Sequence, residues 1–248
     1  MHSSRDAVAI VQARMGSTRL PGKALLKLAG KAVLEHVLER LLSCKNLCGV
    51  AVATSDHPDD NPIVELCRSI SVRCERGSEE NVLERYIDAA DAIGAKIILR
   101  ITGDNPLIDP EIVDSLAALL LDDPNLDYAY AVNAPLGTAS EAVTLQALRR
   151  AGKESSLPEH REHVTLFIRE RPQLFRVTEF RSELGSPDTR LTLDTQEDHQ
   201  LLSAIFEELY SPGEVLSVRN VLHYLSEREH LLALNQSVRQ HRPGNPLV

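Results

Sequence analysis

The chain has 248 residues, 43% of them hydrophobic, and a formal net charge of −9 at pH 7. That length supports a substantial α/β core in one domain, and the hydrophobic share is that of an ordinary soluble enzyme. The acidic balance argues against general nucleic-acid binding, so an anionic ligand would have to be met by a local cluster of cations.

Such a cluster comes first in chain order. An apolar run over 7–13 predicts a strand, and a segment of small residues with three cations, Arg14, Arg19 and Lys23, follows it. A helix is predicted over 32–43, with Val33, Leu34, Val37, Leu38 and Leu41 on one face. Strand, tight loop and helix in this order offer backbone N–H groups and positive charge together, a cradle suited to polyphosphate. The loop is not a Walker A motif, because five residues separate Gly16 from Gly22 and Ala24 stands where the metal-binding hydroxyl would be. The Rossmann G-x-G-x-x-G is also absent.

Strands are predicted at 49–54, 71–75 and 96–101, with helices at 59–69 and 80–93 between them. This alternation implies right-handed βαβ units and a mainly parallel sheet, which binds ligands at its strand C-terminal ends. Asp109-Pro110 is an N-cap and first-turn signal for a helix over 109–121. The second half is less regular. Strands are expected at 127–132, 141–144, 174–180 and 190–193, and helices at 145–154, 160–170, 195–209 and 217–225. With no repeat, low-complexity tract or long linker, residues 1–248 read as one domain, with a first half at about 7–125 that carries the polyphosphate cradle and a second half at about 126–226.

A second motif, Arg100-Ile101-Thr102-Gly103-Asp104-Asn105-Pro106, ends a buried strand at Gly-Asp. Asp104 would emerge at the same edge as the cationic loop, where a carboxylate can hold Mg²⁺ against phosphates; alone, the pattern also reads as an Asx-turn. A third, Arg190-Leu191-Thr192-Leu193-Asp194-Thr195-Gln196-Glu197-Asp198, again runs from strand to Asp to helix, with Asp198 favourable in the first turn. Arg76, Gly77 and Ser78 follow the third strand, and Arg85 reads as a solvated helix charge. His163 is either a site residue or a structural, hydrogen-bonded histidine, while His36, His57 and His199 read as solvent-facing. Cys44, Cys48, Cys67 and Cys74 form no C-x-x-C pair and read as reduced thiols. The first residues carry no signal-like apolar core, and no apolar run approaches the ~20 residues of a membrane span. A cytoplasmic enzyme without membrane or nucleic-acid partners is expected.

The string Gln12-Ala13-Arg14-Met15-Gly16-Ser17-Thr18-Arg19-Leu20-Pro21-Gly22-Lys23 resembles the signature loop of sugar nucleotidyltransferases. It is most similar to the cytidylyltransferases that activate acidic sugars, in the branch named for spore coat polysaccharide biosynthesis. The resemblance implies a three-layer, Rossmann-like α/β nucleotidyltransferase fold with a mainly parallel sheet. It implies transfer of CMP from CTP to an acidic sugar or similar small acceptor, with release of pyrophosphate, for a surface glycan. Gln12, Ala13, Arg14, Gly16, Ser17, Arg19, Lys23, Arg76, Gly77, Ser78, Thr102 and Gly103 would bind the nucleotide. Arg14, Lys23, Asp104 and Asp194 would be catalytic, the two aspartates sharing one Mg²⁺. Ala139, Glu141 and His163 would face the acceptor, although Ala139 replaces an aspartate usual in the branch. Related enzymes pair through the acceptor half, which implies a homodimer with residues 127–180 as an arm closing the partner's site. Two other readings stay open: the same fold using another NTP, and a non-catalytic nucleotide-binding or regulatory protein.

Overall fold

The computed structural model describes residues 6–238; residues 1–5, on which the absence of a leader was read, lie outside that range. The chain opens with β1 (Ala7–Gln12), a two-strand hairpin of β2 (Lys27–Leu28) and β3 (Lys31–Ala32), and α1 (Val33–Leu42). It continues through β4 (Gly49–Ser55), α2 (Asn61–Ser69), β5 (Arg73–Gly77), α3 (Val82–Ile93), β6 (Ile97–Thr102) and α4 (Pro110–Asp122). Then come β7 (Tyr128–Val132), β8 (Glu141–Thr144), α5 (Leu145–Glu154), α6 (Pro158–Glu162), α7 (Leu166–Glu170) and β9 (Val177–Arg181). The helices α8 (Gln196–Leu209), α9 (Val218–Ser226) and α10 (Glu229–Leu232) follow.

Seven strands form one sheet in the order β5-β4-β1-β6-β8-β7-β9. All run parallel except β8, which is antiparallel to both neighbours. The central strand β1 is apolar at nearly every position because helices cover both faces. Ala7, Ala9 and Val11 face Leu34, Val37 and Leu41 of α1 and Ile112, Val113 and Leu116 of α4. Val8 and Ile10 face Leu83, Tyr86 and Ala90 of α3 and, further along, Leu148 of α5. A third cluster packs Leu201, Leu202, Ile205 and Phe206 of α8 with Leu191 and Leu193 against Leu28, Val33 and Leu107. This last contact brings the chain around Asp194 to the C-terminal edge of β1 and β6. The arrangement is the expected α/β three-layer fold with a mainly parallel sheet.

Most predicted elements are observed within one or two residues, and the departures have physical causes. The strand expected over 190–193 is extended chain with a single bridge, Leu136 to Arg190, because no second strand lies alongside it. The helix expected over 160–170 is two short helices, interrupted where Val164 takes a left-handed φ of 38°. The strand expected at 174–180 starts at Val177 and that at 71–75 starts at Arg73. The hairpin β2–β3 was not anticipated. Residues 127–180 do not stand off as an arm: β7, β8 and most of β9 extend the main sheet. His36 is buried rather than solvent-facing, with Nε2 2.8 Å from Leu28 O.

Gly137 is the tightest point of this framework. It has a φ of +97°, and a Cβ there would lie 2.6 Å from Thr192 N and 2.7 Å from Leu191 C. The same crossing carries Leu191 N to Leu136 O at 2.7 Å. Gly137→Ala must both strain the backbone and push residues 191–192 away, and is expected to destabilise the fold by about 3 kcal/mol or more. A urea midpoint within error of the parent would contradict this.

Candidate active site

The loop after β1 is folded around one peptide unit. Met15 N donates to Asp60 Oδ1 at 2.7 Å, and Met15 O accepts from Ser17 N at 2.9 Å and Gly22 N at 3.0 Å. Gly22 has a φ of +68°, which closes the loop without Cβ strain. Asp60 is almost fully buried and also accepts from Ser55 N at 3.1 Å and from Ser55 Oγ. Burial raises its pKa, but these hydrogen bonds outweigh burial and leave it lowered. Asp60 thus anchors the loop as a carboxylate, a role no motif in the sequence signalled. Among the described residues, the N–H groups of Gly16, Thr18 and Arg19 meet no protein acceptor, and Arg14 and Arg19 are exposed. These are the donors and charges an anion cradle requires.

Asp104 and Asp194 converge on Lys23. Its Nζ is 2.5 Å from Asp104 Oδ2 and 2.7 Å from Asp194 Oδ1, and Arg19 Nη2 is 3.2 Å from Asp194 Oδ1. A backbone bond from Leu193 N to Asp104 O, 2.8 Å long, ties the two aspartate segments together. Burial lowers the Lys23 pKa, yet the two carboxylates more than offset it and the result is raised. Burial likewise raises that of Asp194, but Lys23 and Arg19 outweigh it and Asp194 is held below the usual carboxylate range.

Arg190 fixes Asp194 from behind. Its Nη2 is 2.9 Å from Asp194 Oδ2, and its Nε is 2.8 Å from Asp198 Oδ1. Asp198 is fully buried, accepts from Asp194 N at 2.9 Å and Asn235 Nδ2 at 2.8 Å, and so does more than favour a helix start. Burial raises its pKa, but Arg190 and Asn235 prevail and it is lowered. Both aspartates have depressed folded-state values, so their stabilising contribution is present at neutral pH and is lost as pH falls through the carboxylate range. The urea midpoint should hold between pH 7 and 5 and drop below about pH 4, and Asp198→Asn should flatten that drop. An equally steep drop in Asp198→Asn would remove this cluster as its source.

The remaining predicted residues lie around the same edge. Gly103 N donates to Gln12 O at 2.8 Å. A Cβ on Gly103 would lie 3.0 Å from Ala13 Cβ, so glycine permits this close approach. Thr102 is paired in register with Gln12. Gly77 ends β5 and Ser78 follows it, and Glu79 Oε1 is 3.9 Å from the place a Gly16 Cβ would take, so this segment borders the loop. The Arg76 guanidinium is already engaged by Ser55 O at 2.9 Å, Asn61 Oδ1 at 2.8 Å and His57 O at 2.8 Å, which makes it a brace between β5 and the start of α2. Arg85 is buried rather than solvated, and its Nη1 donates to Ser78 O at 2.6 Å. Ala139 is half-buried between buried Thr138 and Ser140. Glu141 lies beside Arg100, and His163 sits at the α6–α7 break. Asp109 is a helix cap, with Oδ1 accepting from Glu111 N at 2.9 Å and Ile112 N at 3.1 Å. Cys44, Cys67 and Cys74 are in no disulfide, and among the described residues no helix is long and apolar enough to cross a membrane.

The cytidylyltransferase family model matches residues 8–236. The spore coat polysaccharide biosynthesis protein SpsF of Bacillus subtilis is 38% identical over 210 residues, 82% of this chain and 87% of that protein. A cytidylyltransferase structure from Leptospira borgpetersenii superposes with a TM-score of 0.87 at 30% identity, covering 96% of this chain and 100% of that one. The structure of CMP:2-keto-3-deoxy-manno-octonic acid synthetase complexed with CTP shares the fold, with a TM-score of 0.64 at 22% identity over 82% of this chain and 99% of that one. With a match across nearly its whole length, this chain belongs to the cytidylyltransferase family.

Proposed function

We propose that this protein transfers CMP from CTP to a small acidic acceptor, releasing pyrophosphate. The convergence of Lys23, Asp104 and Asp194 beneath a loop with unpaired N–H groups is the observation that carries this reading. The synthetase bound to CTP that shares the fold supports CTP as donor. SpsF supports a role in making a surface polysaccharide.

In this mechanism the N–H groups of Gly16, Thr18 and Arg19, with Arg14, Arg19 and Lys23, hold the triphosphate. The reaction forms a bond from an acceptor hydroxyl oxygen to the α-phosphorus and breaks the bond from that phosphorus to the α–β bridging oxygen, which leaves with pyrophosphate while the hydroxyl proton is released to solvent. Negative charge then builds on the departing pyrophosphate, where fixed cations and amides stabilise it most. Gln12, Ala13, Ser17, Thr102 and Gly103 shape the nucleotide edge, while Gly77 and Ser78 border it. No protein nucleophile is needed.

The donor set suits Mg²⁺. Two carboxylates already bracket one positive nitrogen at 2.5 and 2.7 Å, and among the described residues no third acidic, His or Cys ligand joins them. An ion that prefers one or two carboxylates and completes its shell with phosphate oxygens and water fits this pair. Asp104 and Asp194 would hold it, and it would screen the triphosphate charge. Two copies of the chain are proposed to form a dimer, which light scattering reads directly.

Pyrophosphate release, measured with each of the four NTPs against a panel of acidic and neutral sugars, tests the reaction. CTP with an acidic sugar should be the productive pair. Release with a different NTP would reassign the donor. Nucleotide binding without release on any acceptor would favour the regulatory reading.

A further inference from the structure

One face of the sheet changes character at a single level. Ile98, Val143, Tyr128 and Val177 lie side by side across β6, β8, β7 and β9. Two residues on, toward the edge that carries Asp104, the same face presents Arg100, Glu141, Tyr130 and Glu179, again in register. An apolar row gives way to a charged one under the helices that cover the acceptor half. The break at Val164 turns Thr165 into this row, and Arg169 reaches it from α7.

Glu141 is the centre of the group. Its Oε2 accepts from Thr165 Oγ1 at 2.7 Å and is 3.3 Å from Arg100 Nη1, and its Oε1 is 3.8 Å from Arg169 Nη1. Arg100 Nη2 extends to Gln12 Oε1 at 3.4 Å, linking the group to the nucleotide edge. Burial raises the Glu141 pKa, but Arg100 and Arg169 outweigh it, so the carboxylate stays ionised. Two guanidinium groups therefore share one carboxylate. Glu179, the next acid in the row, is exposed and lies beyond Tyr130, whose hydroxyl is 3.5 Å from it.

The guanidinium contacts are loose. Charge-assisted N–H···O bonds normally close to about 2.7–2.9 Å, shorter than every guanidinium contact in this group. Arg100 Nε is buried and meets no acceptor. A surplus, half-buried positive charge with an unused donor is costly unless an anion completes it. Both arginines remain partly open, with side chains 20% and 28% exposed.

We propose that Arg100 and Arg169 seat an oxyanion group of the acceptor, a carboxylate or a phosphate, and that Glu141 is a positioning residue holding the two guanidinium groups in place rather than an acceptor contact. This rests on the reading of the site as one that transfers CMP to an acidic acceptor, and it assigns recognition of the acid to residues outside the phosphate loop.

The test titrates full-length protein saturated with CTP, without divalent cation or sugar, with pyruvate, methylphosphonate and neutral acetamide, by calorimetry. At least one anion should bind in the millimolar range and acetamide should not. Arg169→Gln should weaken the anion roughly tenfold to a hundredfold with CTP affinity unchanged, and Arg169→Lys should recover part of the loss. Glu141→Gln should retain or tighten anion binding. Arg100→Gln should behave as Arg169→Gln; if it does not fold, the more exposed Arg169 decides. The inference is overturned if neither anion binds the parent protein, if Arg169→Gln binds as the parent does, or if Glu141→Gln abolishes binding. Failure of the proposed reaction is seen separately, as absent CTP binding or absent pyrophosphate release. If CTP does not bind, the same titration on the nucleotide-free chain still requires the loss in Arg169→Gln.

Discussion

Asp104→Asn is expected to slow nucleotidyl transfer by about a hundredfold to a thousandfold while shifting the melting temperature by only a few degrees. The amide keeps the shape of the side chain and removes its charge. Lys23 then loses the nearer of its two carboxylate partners, and the pair no longer presents the charge that would hold the proposed divalent cation. Losses of that size are typical when one electrostatic element of a preorganised site is removed. The fold should tolerate the change because the Asp104 side chain is 21% exposed and its backbone oxygen still receives Leu193 N. Asp194→Asn should cost as much in rate but more in stability, since Asp194 also neutralises the buried Arg190. Single-turnover rates at saturating CTP, set beside thermal melts of the same samples, separate these effects. A rate within tenfold of the parent in Asp104→Asn would remove that carboxylate from the chemistry.

The parallel half of the fold was legible because its signals are local. Buried strands such as Ala7–Gln12 read as unbroken apolar runs, and Asp109-Pro110 declares its helix in two residues. The phosphate-loop string could be recognised for the same reason. What stayed hidden depends on distant partners. Nothing beside Asp60 in the sequence says that its carboxylate will hold Met15 N, forty-five residues earlier. His36 falls on an ordinary helix, and only the arrival of Phe206 of α8 and of Tyr210 just after it, with ring centroids at 4.4 and 4.8 Å, buries it. Arg85 reads as a surface charge until Ser78 O turns toward it. Extended chain over 190–193 was readable, but whether it becomes a strand depends on a neighbour that the sheet does not supply there. The two aspartates could be singled out from their strand-end settings. Their meeting on one lysine required the third apolar cluster and the tight crossing at Gly137.

Lys23 has a consequence for the order in which ligands bind. Its ammonium stands where a cation shared by Asp104 and Asp194 would stand, 2.5 and 2.7 Å from their oxygens. In the nucleotide-free protein, a divalent ion must therefore displace a charge already paired on both sides. A triphosphate bound in the loop above, as proposed, would supply an alternative anion for Lys23, and the ammonium's departure would free the carboxylates. Metal and nucleotide should therefore bind with positive coupling, each strengthening the other by the same factor. Mn²⁺, followed by electron paramagnetic resonance, should bind the free protein weakly and bind at least tenfold more tightly when CTP is present, a coupling of about 1.4 kcal/mol. Lys23→Met removes the competitor and the phosphate contact together. It should raise Mn²⁺ affinity in the absence of nucleotide, lower CTP affinity, and shrink the coupling that belongs to the protein side chains. The direct coordination of Mn²⁺ by CTP in solution is subtracted by running the same titration with Asp104→Asn, where the carboxylate pair is broken but Lys23 remains. If Lys23→Met left Mn²⁺ affinity in the nucleotide-free protein unchanged or weaker, the ammonium would be a structural cross-link rather than the occupant that metal and nucleotide together displace.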